Sequence, residues 1–212
     1  MLTTEAKKEK RNWFFFIIGY FAGGYLLINW INQFRLHYFD VSFSFEQSIP
    51  FIPAFIFGYI LVYFSVLRLY FLIDDIRDFR RAVVAFLLMT TVHYIFFLVF
   101  PVRFELRPDL SAVTAFGTGV TKIYYIIDMP HNCFPSLHVA YPTLAALISW
   151  RHHRYSSGMF IVMTVVIAAS VVFVKQHYIA DVVAGALAAV IIYKIVTVTE
   201  KWWMRFFKLS NV

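Results

Sequence analysis

The sequence predicts an all-α integral membrane protein, a bundle of six transmembrane helices. Composition is the first observation: the 212 residues are 61% hydrophobic and 15% charged, against roughly 45–50% apolar and about 25% charged for soluble domains. Spacing is the second. Counted against the roughly 20 residues that cross a hydrocarbon core, apolar runs fall at about 13–32, 51–73, 83–101, 134–150, 157–174 and 178–199. The third is charge, because lysine and arginine gather between alternate runs.

Residues 1–12 are polar and basic, and no small-residue cleavage site follows them, so 13–32 is read as a retained first span rather than a signal peptide. Gly19 and Gly23 in that span, and Gly185, Ala188 and Ala189 in the sixth, have the spacing that lets helices approach closely. The second and third spans, 51–73 and 83–101, are long and apolar, and His93 in the third is read as a core or interhelical group. About 33 residues then separate the third span from the fourth. Connections of that length are often functional, and with Gly117, Gly119, Lys122, Tyr124 and Tyr125 this one is expected to lie on the headgroups and cover the lipid entrance. The fourth span, 134–150, is the shortest and carries His138. The membrane domain is expected to cover 13–199, followed by a tail at 200–212 whose Trp202, Trp203, Phe206 and Phe207, mixed with cations, read as an interfacial anchor.

Orientation follows from the basic residues outside the spans. One side collects twelve: Lys7, Lys8, Lys10, Arg11, Arg77, Arg80, Arg81, Arg151, Arg154, Lys201, Arg205 and Lys208. The other holds five: Arg35, Arg103, Arg107, Lys122 and Lys175. The positive-inside rule then puts both termini in the cytoplasm, and the expected setting is a bacterial inner membrane. This distribution accounts for the net charge of +7 without a nucleic-acid partner. Cys133 is the single cysteine, so no disulfide forms within the chain.

With that topology three polar clusters reach one extracytoplasmic boundary: Arg103 and Arg107-Pro108, Pro135-Ser136-Leu137-His138, and Lys175 through Asp181. Ionisable groups at membrane depth are expensive and mark function by default. His177 and Asp181 are four residues apart at the start of a helical run, so the carboxylate can fix one ring nitrogen and leave the other free. His138 adds a second imidazole, which suits a reaction in which one histidine attacks and the other protonates the leaving group. Arg103, Arg107 and Lys175 supply cations matched to phosphate oxygens. Pro135 suits a first helical position, after which the amides near Ser136, Leu137 and His138 form a helix N-terminal anion site. No run of carboxylates is present for a divalent metal, so neither metal nor cofactor is expected.

The Pro135-Ser136-Leu137-His138 and Ser170-x6-His177-x3-Asp181 patterns resemble the second and third motifs of the type 2 phosphatidic acid phosphatase superfamily, PSGH and SRxxxxxHxxxD. The strings Asn132 to Ala140 and Lys175 to Tyr178 are most similar to its inositol phosphorylceramide synthase-like branch, and the resemblance covers roughly 50–199. It implies that His177 is the nucleophile, that Asp181 orients it, and that His138 serves as general acid and then base. It further implies that Ser136, Lys175 and Arg107 hold phosphate oxygens. Three positions depart from the pattern: Phe100 stands at the lysine of the first motif, KxxxxxxRP, Val171 at the arginine of the third, and Leu137 at the glycine of the second. Lys175 or Arg103 is expected to supply the missing charge.

The resemblance thus implies a lipid phosphatase acting on a lipid phosphate or pyrophosphate at the outer membrane face through a phosphohistidine, with membrane lipid as surroundings. A phosphotransferase using an alcohol acceptor has the same chemistry, and the small size favours hydrolysis. Two readings of other kinds are a small transporter or channel, which would carry charges inside several spans, and a zinc site of His131, His138, His177 and Asp181.

Overall fold

A computed structural model describes residues 2–111, 113–150 and 153–209. Ala112 in the expected cover, Arg151 and His152 in the connection after the fourth span, and residues 210–212 of the tail lie outside the described residues. The fold is all-α, with no strand among the described residues. Its helices are α1 Thr4–Asn32, α2 Ile56–Tyr59, α3 Leu61–Leu72, α4 Ile76–Val99, α5 Thr118–Ile127, α6 Leu137–Ser149, α7 Arg154–Phe173, α8 Ile179–Val198 and α9 Glu200–Leu209.

Among the described residues five segments are long and apolar enough to cross a membrane: α1, the Pro53–Leu72 stretch containing α2 and α3, α4, α7 and α8. The expected fourth span is the exception, because the 13 residues of α6 rise about 20 Å, short of a hydrocarbon core about 30 Å thick. α6 tolerates this because it sits inside the bundle, against α3, α4, α7 and α8, rather than in lipid.

Helix limits follow local chemistry. α1 starts well before residue 13 because its polar N-terminal residues are good helix formers and the Thr3 hydroxyl accepts from the Ala6 amide at 3.2 Å. Asp75 caps α4 through the amides of Arg77 and Asp78, and the helix stops two residues before Pro101. Gly58 allows α2 to lie on α7, where a Cβ would collide with the Ser170 hydroxyl. Ser170 itself bonds to the Val166 carbonyl, within its own helix.

The long connection holds a helix that the sequence analysis did not place. α5 is preceded by Gly117 as its N-cap, whose φ of 87° and close approach to the Pro53 carbonyl, 2.5 Å from where a Cβ would stand, require glycine. It turns Ile123 and Ile126 outward, and Phe116, just before it, is exposed as well. In α9, Trp203 and Phe207 join the core while Trp202 and Phe206 face out, and the Trp203 indole donates to the Val196 carbonyl at 2.8 Å.

Near the N-terminus, Glu9 pairs with Arg80 at 2.7 Å. Near the C-terminus, Glu200 pairs with Arg77 and Arg81 at 2.6 and 2.8 Å. Both ends therefore gather at one end of the bundle, where α4 begins. Asn32 ties the other end of α1 to the Phe97 carbonyl and to Asn132.

Candidate active site

The turn between α7 and α8 sets the first histidine. α7 closes in a Schellman arrangement: the Lys175 amide donates to the Val172 carbonyl at 3.2 Å and the Gln176 amide to the Val171 carbonyl at 2.9 Å. Lys175 occupies the left-handed position, with φ 57°, where glycine is usual. The chain then turns His177 inward. Its Nδ1 lies 3.1 Å from Oδ2 of Asp181, one turn along at the start of α8. The same oxygen accepts from the Tyr178 amide at 2.9 Å. The buried Oδ1 of Asp181 has no partner among the described residues. With Nδ1 donating to the carboxylate, Nε2 of His177 carries the free lone pair.

His138, in the first turn of α6, faces that lone pair, its Nδ1 3.3 Å from Nε2 of His177. Its other nitrogen looks toward Asp128, with Nε2 3.6 Å from Oδ2. Asp128, just after α5, accepts hydrogen bonds from the Tyr25 and Tyr59 hydroxyls. Two imidazoles thus stand in line between two carboxylates. Asp128 stands beside the outer nitrogen of His138 and Asp181 beside that of His177.

Pro135 is not the first helical residue. It follows Phe134 through a cis peptide, and α6 begins at Leu137 with Ser136 as its N-cap. The N-cap hydroxyl does not turn back onto the helix. It is buried and without a partner among the described residues, while the Ser136 amide donates to the Asp181 carbonyl at 3.0 Å. Gly185 permits that junction, since a Cβ there would collide with the Ser136 carbonyl oxygen.

Arg107 lies on the same side. Its guanidinium donates to the Tyr125 and Asp128 carbonyls at 3.2 and 2.6 Å and to the Gln176 side chain, and it rests 4.2 Å over the Tyr125 ring. Its Nε and the Gln176 Nε2 are buried without partners among the described residues. Lys175 is buried, and its ammonium donates to the Glu46 carbonyl at 3.1 Å. Burial pushes its pKa down, opposed by the nearby Glu46 charge. Arg103 is held elsewhere, paired with Glu105 at 2.5 Å and lying 4.7 Å over the Tyr38 ring.

Five contributors escaped the sequence analysis: Asp128, Tyr25, Tyr59, Gln176 and Glu46. Asp128 had a usable signal, a lone carboxylate ending an apolar stretch ten residues before His138. Glu46 had none, because its carboxylate accepts from the Ile179 amide at 2.6 Å across most of the chain.

The four-residue zinc set is not assembled: His131 instead stacks on Tyr38, ring centroids 5.9 Å apart. Among the described residues, Cys133, His177 and Asp181 bring donor atoms within 4.8 Å of one another. Burial, then the Asp181 charge, pushes the Cys133 thiol well above its usual pKa, which makes this a poor set for a cation that needs a thiolate. His93 is fully buried and bonds through Nδ1 to the Met89 carbonyl at 2.8 Å.

Residues 40–195 match the model of the PAP2 superfamily. The chain belongs to that superfamily. The match contains both histidines, both carboxylates, Arg107, Ser136 and Lys175, and excludes α1 and α9. PAP2 membership supports a phosphatase-type function on lipid phosphates, and the apolar helices describe a multi-pass membrane protein. No curated protein and no solved structure matches the chain.

Proposed function

We propose that this PAP2 protein hydrolyses a lipid phosphate or pyrophosphate at the extracytoplasmic face of a bacterial inner membrane, without a metal, through a phosphohistidine. The observation that carries the reading is the line Asp181–His177–His138–Asp128, flanked by unpartnered buried donors on Ser136, Arg107 and Gln176.

In the proposed reaction, Nε2 of His177 attacks phosphorus, and its bond to phosphorus forms as the bond to the lipid oxygen breaks. Protonated His138 gives its proton to that oxygen, and the lipid alcohol departs. Neutral His138 then takes a proton from water, whose oxygen bonds to phosphorus as the phosphorus–nitrogen bond breaks. Inorganic phosphate leaves, and His138 is protonated again. Ser136, Arg107 and Lys175 hold the phosphate oxygens as charge builds. Arg103 is assigned only a role at the rim.

The gathering of both chain ends and most basic residues away from the histidines supports the extracytoplasmic assignment. The strings around His138 and His177 resemble those of the inositol phosphorylceramide synthase-like branch, which supports a kinship with it, and the acceptor is assigned to water.

The test is phosphate release from a panel of lipid phosphates by purified protein, with a chelator and with alcohols added. Release that survives the chelator and is abolished by His177→Ala is expected. A new phosphodiester in place of free phosphate would overturn hydrolysis, and full turnover by His177→Ala would overturn the mechanism.

A further inference from the structure

A cavity of about 460 Å³ runs between α1, α3 and α6, with Asp128 and His138 at one end. Its walls are apolar: Phe21, Ala22 and Leu26 from α1, Val66 and Leu67 from α3, and Tyr141 from α6 contribute to them. That volume lies within the roughly 300–1,000 Å³ typical of ligand sites. The cleft exists because α1 packs chiefly on α4, where the Tyr94 hydroxyl donates to the Phe21 carbonyl at 2.6 Å. The seam toward α3 is left ajar, and Ala22, Leu26 and Leu67 along it are exposed.

The two sides of the histidine pair therefore differ. Lys175 and Gln176 adjoin His177 in the chain, and Ser136 is tied to the Asp181 carbonyl, so the polar groups gather on the His177 side. Beyond His138 lies hydrocarbon-lined space. In the reaction proposed above, His138 faces the oxygen that leaves with the lipid alcohol. The chain attached to that oxygen then begins at the mouth of the cleft.

We infer that this cleft seats a hydrocarbon chain of the departing lipid alcohol, admitted sideways from the bilayer between α1 and α3, and that α1 is the wall that selects its length. The inference rests on the phosphatase reading for the chain's orientation, not for the existence of the seat. α1 lies outside the PAP2 match, so the selecting wall is added to the shared core. It also brings Tyr25, which lines the cleft and donates to Asp128, beside the bound chain.

The experiment uses the full chain in lipid vesicles, with long-chain and short-chain phosphatidic acids as probes. Ala22→Phe adds bulk at an exposed position, so the fold is retained while the cleft is narrowed. The ratio of kcat/KM for the long-chain to the short-chain substrate is expected to fall about tenfold, the scale on which an apolar pocket discriminates a methylene group or two. Val162→Phe, equally lipid-exposed but on α7, controls for bulk and is expected to leave the ratio unchanged. An unaltered ratio in Ala22→Phe overturns the inference. A photoreactive lipid phosphonate, which needs no turnover, is expected to label α1 and α3. Labelling confined to α7 and α8 overturns the seat even where hydrolysis is intact. Labelling of α1 and α3 without hydrolysis of any lipid phosphate keeps the seat and removes the phosphatase reading.

Discussion

Lys175 carries two burdens. A side chain at φ 57° costs on the order of 1–2 kcal/mol relative to glycine, and burying an ammonium adds a penalty that the Glu46 carbonyl offsets only in part. Such strain persists where the surroundings enforce it, often at functional sites. Lys175→Gly is therefore expected to unfold at a higher temperature than Lys175→Ala, by the equivalent of about 1 kcal/mol, while both lose at least tenfold in turnover. Equal stabilities would remove the strain argument. Asp128 gives a sharper kinetic test. Asp128→Asn is expected to lower kcat on the order of 10²-fold with little change in KM, because in the proposed mechanism it supports the acid, His138, rather than the bound phosphate. His131 makes a pH prediction. Burial first, then Arg103 and Arg107, lowers its pKa below 6.5. A group whose folded pKa is depressed contributes full stability above its unfolded pKa and loses it as pH falls toward the folded one. The wild-type protein should lose thermal stability as pH falls below the ordinary imidazole value, and His131→Gln should lose less. His138, His177 and Asp181 were legible as residues because four-residue helical spacing and a short motif are local signals. Asp128, Tyr25 and Glu46 were not, since their roles exist only after distant segments meet.

Among the elements, α1, α4, α7 and α8 were legible because membrane length and hydropathy dominate their sequence. α6 reads as a span but is a short buried helix, a distinction that depends on its neighbours rather than on its composition. α5 stays hidden because one amphipathic stretch of 10 residues inside a glycine-bearing connection falls below the length that periodicity can establish. The close approach at Gly185 shows what small residues mean here. They read as helix-packing residues, yet this one meets the Ser136 backbone, which cannot swing aside as a side chain would. Gly185→Ala should destabilise the protein by about 1–3 kcal/mol, as overpacking does, and should lower turnover more than an alanine at exposed Val183. An active, equally stable Gly185→Ala protein would show that α8 has room to move.

On the scale of the whole molecule, charge made the end-to-end polarity legible. The same arginines that sort by the positive-inside rule, Arg77, Arg80 and Arg81, pair with Glu9 and Glu200 and bring the two ends of the chain together. Tags at both termini are expected to be shielded in intact cells and reached only after the membrane is opened, whereas a tag after Asp109 should be reached from outside. The reverse pattern would invert the proposed orientation. The cleft was invisible in sequence, because a gap is made by what α1 fails to touch, and no residue pattern records a contact that is not made.

The hydrogen bond from the Ser136 amide to the Asp181 carbonyl sets a limit on how the enzyme can breathe. It joins the first turn of α6, beneath His138, to the first turn of α8, beside His177, and Gly185 keeps that junction close. α6 and α8 also pack directly on each other, so the two histidine-bearing turns share one support. With the proposed seat, the wall that chooses the guest, α1, lies on a different flank from the α6–α8 junction that carries the histidines.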